Sequence, residues 1–176
     1  SVTDRCNLRC TYCMPEKMRF LKKNDILTFD EMYELCEQFV SRGIKKIRIT
    51  GGEPLVRKGL IEFIKKLNYL KQIKLIEEIT LTTNATLLKE NINNIKNSGI
   101  NRINVSLDTL EEKKFEKITR RNDLKKVLSG IYSALENNIK LKINTVVLKG
   151  INIEEIPKII TWAHNYSMDI SLIETM

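Results

Sequence analysis

Cys6, Cys10 and Cys13 stand in the stretch Ser1-Val-Thr-Asp-Arg-Cys-Asn-Leu-Arg-Cys-Thr-Tyr-Cys, with the spacing C-x3-C-x2-C. A closed structural zinc site takes four ligands. A [4Fe–4S] cluster is normally held by four cysteines. Three local thiolates would therefore leave one iron with an open position, where a substrate or cofactor can bind. A zinc site completed from elsewhere, or thiols that are simply neighbours in a core, would use the same residues.

The elements that must position this loop read as alternating strand and helix. Thr28-Phe-Asp-Glu31 is a capping box. Met32, Leu35, Cys36, Phe39 and Val40 follow at helical spacing, and Gly43 stops that helix. Cys36 on this stripe reads as a core thiol, not a ligand. Strands are predicted at the leading Ser1 segment, 45–50, 77–83, 102–107, 140–148 and 169–173, with helices between them. Leu60, Ile61, Ile64 and Leu67 mark one helix face, and Leu124, Val127, Leu128, Ile131 and Leu135 another. Strand–helix alternation implies a parallel sheet, an α/β fold.

Strand parity carries more information than strand number. Successive strand residues face opposite ways. If Ile47 and Ile49 face the helices, then Arg48 and Thr50 face the other side. Thr80, Thr82 and Asn84 share that side, as do Arg102, Asn104, Ser106 and Asp108, and Lys142 and Asn144. A closed eight-stranded barrel fills its interior with branched apolar residues, and a sheet buried on both faces reads as continuous Val, Ile and Leu. An unpaired buried charge is costly. The pattern instead predicts an open, partial (β/α)6 TIM-like barrel around a polar ligand. In parallel α/β folds the chemistry sits at the carboxyl ends of the strands. Thr50-Gly-Gly-Glu-Pro54, Thr82-Thr-Asn84, Ser106-Leu-Asp108, Glu174 and Met176 all fall at those ends, and the cysteine loop follows the first strand.

Composition excludes several classes. The chain has 176 residues, 42% hydrophobic and 30% charged, enough for one folded domain over 1–176. No stretch reaches the ~20 apolar residues of a membrane helix. Four cysteines with no secretory signal point to a reducing, cytoplasmic setting and a metal, not disulfides. The net charge of +8 comes from scattered lysines, which read as solvated helix faces that also attract anions, without a nucleic-acid-binding motif. Arg120-Arg121 reads as a solvated loop. His164, the only histidine, receives no role. No Ser/His/Asp set, P-loop or paired-carboxylate site is present, so no side chain is assigned as catalytic. Both ends look cut, as in a piece of a longer protein.

The C-x3-C-x2-C signature with Tyr12 before the last cysteine resembles the radical S-adenosylmethionine (SAM) enzymes. Gly-Gly-Glu one strand later strengthens the resemblance. Arg48-Ile-Thr-Gly-Gly-Glu-Pro-Leu, Leu81-Thr-Thr-Asn, Arg102-Ile-Asn-Val-Ser-Leu-Asp, Lys142-Ile-Asn-Thr-Val-Val and Ile173-Glu-Thr-Met then run in order. Together they resemble the GTP 3′,8-cyclase family, which opens molybdenum-cofactor biosynthesis. The resemblance implies that Cys6, Cys10 and Cys13 hold a [4Fe–4S] cluster whose free iron chelates SAM. It implies that Tyr12, Gly52, Ser106 and Met176 contact SAM, and that Arg48, Thr82 and Lys142 contact GTP. The implied reaction is hydrogen abstraction from the ribose 3′ carbon by a 5′-deoxyadenosyl radical, then attack on guanine C8. A reduced flavodoxin or ferredoxin as electron donor and a homodimer are further family expectations, with no membrane or nucleic-acid partner.

This chain departs from the family pattern in lacking the cysteines of a second, C-terminal [4Fe–4S] cluster and an arginine ahead of Ser1. It also has Ala85 where the family usually has glycine. The sequence therefore predicts one cluster and SAM binding, without turnover of GTP by these residues alone. Two other readings use the same motifs. A peptide-modifying radical SAM enzyme with an auxiliary cluster would share the cysteines and Gly-Gly-Glu. A metal-stabilised binding module would take zinc and show salt-dependent nucleic-acid binding.

Overall fold

A computed structural model describes residues 1–15 and 17–175. Five parallel strands form one sheet in the order β1-β2-β3-β4-β5. They are β1 (Lys46–Ile49), β2 (Glu78–Thr83), β3 (Arg102–Ser106), β4 (Leu141–Val147) and β5 (Asp169–Glu174). The helices are α1 (Phe29–Ser41), α2 (Leu60–Gln72), α3 (Leu88–Lys96), α4 (Glu112–Thr119), α5 (Leu124–Glu136) and α6 (Ile156–Asn165). Sequential strands neighbour one another, so the α/β fold is a partial barrel, as the alternation predicts.

The predicted sixth strand, at Ser1, does not form a regular ladder among the described residues. The segment runs extended beside the exit of β1. Val2 N–H donates to Thr50 O, Gly52 N–H to Thr3 O and Glu53 N–H to Arg5 O. Its backbone bonds go to residues just past the end of β1 before it turns into the cysteine loop, so β1 itself is left as an edge.

The capping box forms as read: Thr28 Oγ1 accepts from Glu31 N–H, and Thr28 N–H donates to Glu31 Oε2 at 2.7 Å. The apolar stripe of α1 is only half used. Val40 is buried and Met32 and Cys36 are partly covered, but Leu35 and Phe39 are exposed. The physical reason is the open β1 edge, which gives that side of α1 nothing to pack against.

The helix-facing side of the sheet holds the core. Ile79, Leu81, Ile103, Val105 and Ile143 are fully buried against residues such as Ile64, Leu67, Leu88, Val127 and Ile131. Register places the polar residues on the opposite face. Arg48 neighbours Thr80, which neighbours Arg102; Thr82, Asn104, Lys142 and Asp169 form a second row; Ser106, Asn144 and Ser171 form a third. The parity expectation therefore holds on every strand it was drawn for. Arg48 is exposed and Lys142 half-buried, so neither charge is cut off from water.

Ala85 adopts φ +61° and is fully buried just beyond β2. A side chain in that region costs about 1–2 kcal/mol, which accounts for the family's usual glycine there. Gly130 of α5 sits against it: a Cβ at 130 would lie 2.5 Å from Ala85 O.

Candidate active site

The cysteine loop is fastened to three strand exits and one helix end by groups from across the chain. Below it, Glu53 is wholly buried and accepts from Thr83 Oγ1 (2.8 Å), Asn84 N–H (2.7 Å) and Leu55 N–H (3.0 Å). Burial pushes its carboxyl above the ordinary range, and these hydrogen bonds oppose that shift. At the β2 exit, Asn84 Nδ2 donates to Asn7 Oδ1 (2.8 Å), and Asn84 Oδ1 accepts from Thr86 N–H (3.0 Å) and Thr86 Oγ1 (2.6 Å). Asn7 Nδ2 closes the set by donating to Thr86 Oγ1 at 2.7 Å.

The end of α4 holds the loop from the far side. Arg9 N–H donates to Thr119 O and Thr11 N–H to Ile118 O. Arg120, in the left-handed region at φ +54°, donates from one guanidinium nitrogen to Arg9 O (3.1 Å) and Met14 O (3.4 Å). It therefore serves the loop and is not the solvated residue the sequence suggested. Arg121 is exposed.

Gly51 and Gly52 are needed because the chain crosses itself here. A Cβ at Gly51 would lie 2.7 Å from Thr3 O, and one at Gly52 would overlap the Arg5 carbonyl. The backbone of Thr3–Arg5, just ahead of the cysteines, fills the space a side chain at either position would need. Gly52 N–H is spent on Thr3 O, which leaves its carbonyl as the group it can offer, a fit for a cationic amine.

All four cysteines are free thiols; Cys6 and Cys10 are half-buried and Cys13 is exposed. Cys6 Sγ accepts from Leu8 N–H at 3.4 Å and faces Asn84 Nδ2 at 3.8 Å. Burial pushes the Cys6 thiol up, and pushes Cys10 up to about 12 with help from the Asp108 charge. Both stay protonated until a metal displaces the proton. Among the described residues, no three His, Cys, Asp or Glu side chains converge on one point. Three thiols in one loop, with no fourth cysteine beside them in sequence, are the donor set of a cluster with one open iron. Donors aimed at a ligating sulfur also tune cluster potential. The residues present fit an open-iron cluster.

Tyr12 lies across the rim, its hydroxyl donating to Asp108 Oδ2 at 2.6 Å. Burial and the Asp108 charge push its phenol far up. Asp108 Oδ1 accepts from Val146 N–H at 2.8 Å. Burial moves the Asp108 carboxyl upward, with these two bonds opposing. Cys10, Tyr12, Asn84, Ser106 and Asp108 line a cavity of about 30 Å³, room for about one water. Buried Asn152 braces the floor by donating to Asp108 O and Val146 O, both at 2.8 Å.

Cys6, Cys10, Cys13, Tyr12, Gly52 and Ser106 thus gather at one rim. Arg48, Thr82 and Lys142 lie on the polar sheet face. Met176 lies outside the described residues. His164 is exposed. Asn7, Thr86, Arg120 and Asn152 were missed, although an Asn or Thr just past a strand end and an arginine just past a helix are signals for such fastening.

The sequence matches the Radical SAM superfamily over residues 1–163. The chain belongs to the radical SAM superfamily. Members of that superfamily use SAM with a [4Fe–4S] cluster. Over all 176 residues the chain is 51% identical to a GTP 3′,8-cyclase of Sinorhizobium medicae, covering 50% of it, and 51% identical to one of Brucella ovis, covering 51%. It spans about half the length of these curated relatives. Streptococcus suis SuiB bound to S-adenosylmethionine shares the fold, with TM-score 0.78 and 21% identity over 99% of this chain and 38% of that one. No helix among the described residues is long and apolar enough to cross a membrane.

Proposed function

We propose that this chain is the radical SAM core domain, residues 1–176, of a GTP 3′,8-cyclase acting in molybdenum-cofactor biosynthesis in the cytoplasm. The observation that carries the reading is the placement of a three-thiol loop, fastened by Glu53, Asn84 and Arg120, directly above a sheet face bearing Arg48 and Lys142. Identity of about half over the whole chain to curated GTP 3′,8-cyclases supports the nucleotide substrate over a peptide.

Cys6, Cys10 and Cys13 hold the cluster. With SAM bound, it supplies a 5′-deoxyadenosyl radical able to abstract hydrogen from the substrate ribose. The Gly52 carbonyl accepts from the SAM amino group, and Ser106 and Tyr12 orient the rest of that cofactor, with Met176 as a further contact. Arg48 and Lys142 neutralise the triphosphate, and Thr82 donates to the nucleotide. The reading assigns a second [4Fe–4S] cluster, and the substrate contacts that go with it, to the half of the relatives' length not spanned here. It includes reduced flavodoxin or ferredoxin as electron donor and a homodimer. These residues alone bind SAM without turning over GTP.

The test is electron paramagnetic resonance of the anaerobically reconstituted, reduced chain. A [4Fe–4S]⁺ signal that shifts on adding SAM, and that is lost in Cys6→Ala, Cys10→Ala or Cys13→Ala, is the expected result. A cluster indifferent to SAM in a folded chain would sink the reading.

A further inference from the structure

The polar sheet face carries two buried groups that the protein leaves unpaired, and both are on β3. Asn104 is only 2% exposed. Its Nδ2 reaches Thr82 Oγ1 at 3.5 Å, but its Oδ1 has no partner. Turning the amide end for end would only transfer the vacancy to Nδ2. Arg102 Nε, two residues earlier on the same face, is also buried and unpaired, and the nearest carboxylate, Glu78, is 3.8 Å from its Nη2. An unsatisfied buried group costs about 1–3 kcal/mol. Such a cost persists in a native structure mostly where strain, an ion, a water or function explains it.

We propose that Asn104 is a substrate-binding residue whose carboxamide oxygen accepts a hydrogen bond from a sugar hydroxyl of the nucleotide. This rests on the nucleotide reading above and adds a contact to it. Three placements carry it. Asn104 lies between Thr82 and Lys142 in one cross-strand row. Ser106, on the same strand and face, is about 7 Å nearer the rim by strand geometry. Arg48, Arg102 and Lys142 supply the cations on the far and lateral sides. In the orientation that donates to Thr82, Asn104 offers its carboxamide oxygen, on which a phosphate cannot sit because both are acceptors, so the anionic tail belongs with the cations. The group at Asn104 must be a neutral donor, held between that tail and the cofactor rim. A ribose hydroxyl meets both requirements. Thr82, which accepts from Asn104, keeps its own hydroxyl proton free to donate to the same sugar.

The test is equilibrium binding of GTP, 2′-deoxy-GTP and 3′-deoxy-GTP to the reconstituted chain. The wild type is compared with Asn104→Leu, Asn104→Asp and Arg48→Ala, each checked for folding by circular dichroism. The expected result is that wild type prefers GTP over one of the deoxy analogues by about tenfold, the worth of one good hydrogen bond. Asn104→Leu should lose that preference while binding the analogue as before. Asn104→Asp, which keeps an acceptor, should retain it. Arg48→Ala should weaken all three nucleotides equally. Undiminished preference in Asn104→Leu, or no preference in the wild type, would overturn the proposal and leave the nucleotide reading standing. No binding of any nucleotide by a wild-type chain whose cluster responds to SAM would also overturn this proposal, which requires these residues to hold the nucleotide themselves.

Discussion

Asn84 and Asn104 are the same residue type and both buried, one just past the end of β2 and the other within the adjacent β3. Asn84 engages its backbone N–H, its amide and its carbonyl oxygen with Glu53, Asn7 and Thr86. Asn104 leaves one end of its side chain empty. Around the cysteines most polar groups are paired, with Asp4 Oδ1 the exception, while the sheet face two or three residues below leaves Asn104 Oδ1 and Arg102 Nε unpaired. A largely paired rim is pre-organised, so thiols held this way need little rearrangement when they take a metal. An unsatisfied face is the signature of a surface shaped for something the protein does not itself contain. On the proposed reading the two regions divide the labour of one site, with fixed geometry above and unpaired polar groups below.

Breaking the rim should have the largest effect. Glu53→Ala would strand three buried donors at once, and a loss of about 3–4 kcal/mol of stability is expected from urea unfolding. A loss under 1 kcal/mol would mean the rim is not held from below. Glu53→Gln separates charge from shape. Because burial raises the folded-state pKa of Glu53, its contribution to stability is complete below the unfolded carboxylate value. It is lost as pH rises through the raised folded value. The stability gap between wild type and Glu53→Gln should therefore be widest in acid and narrow towards neutral pH. A gap that widens with pH would reverse the sign of the shift.

Arg120→Ala should act more locally. It removes the donors to Arg9 O and Met14 O on either side of Cys10 and Cys13. Global stability should fall by about 1–2 kcal/mol. Alkylation of Cys10 and Cys13 by a maleimide, followed by mass spectrometry, should speed up several-fold while Cys36 is unchanged. Equal acceleration at all the cysteines would report general loosening instead of a clamp. The smallest effect is a gain. Ala85→Gly relieves a positive φ and should raise stability by about 1 kcal/mol, read as a higher thermal midpoint. A fall would mean that the buried Ala85 methyl contributes more than its backbone strain costs.

Much of this division was legible in the residues. Strand parity separated Arg48, Thr82, Asn104 and Lys142 from Ile79, Leu81, Ile103 and Ile143 because a period of two is rigid over even a four-residue strand. The capping box at Thr28 is similarly local. Contacts that join distant segments were not legible. Arg120 reaches Arg9 across most of the chain, and the stripe of α1 overstates burial because helical spacing reports which residues share a face, not whether a partner covers it. The Gly-Gly pair shows the same limit in another form. Its place in the motif was legible, but the reason for two glycines, the chain's own Thr3–Arg5 backbone pressing on them, was not. The Ser1 segment was misread as a strand because alternation cannot tell a full ladder from a short parallel contact.

The clamp at the end of α4 has a consequence for how the protein is made. Cys6, Cys10 and Cys13 leave the ribosome well before Arg120, Thr119 and Ile118, which organise their backbone and follow roughly a hundred residues later. At about 5–20 residues per second, that is an interval of roughly 5–20 s. During it the thiols are exposed on a loop with no shape of its own. In a zinc finger, metal binding and folding are one event. Here the groups that order the thiol segment come from the end of α4, so its backbone takes this shape only once that helix is in place.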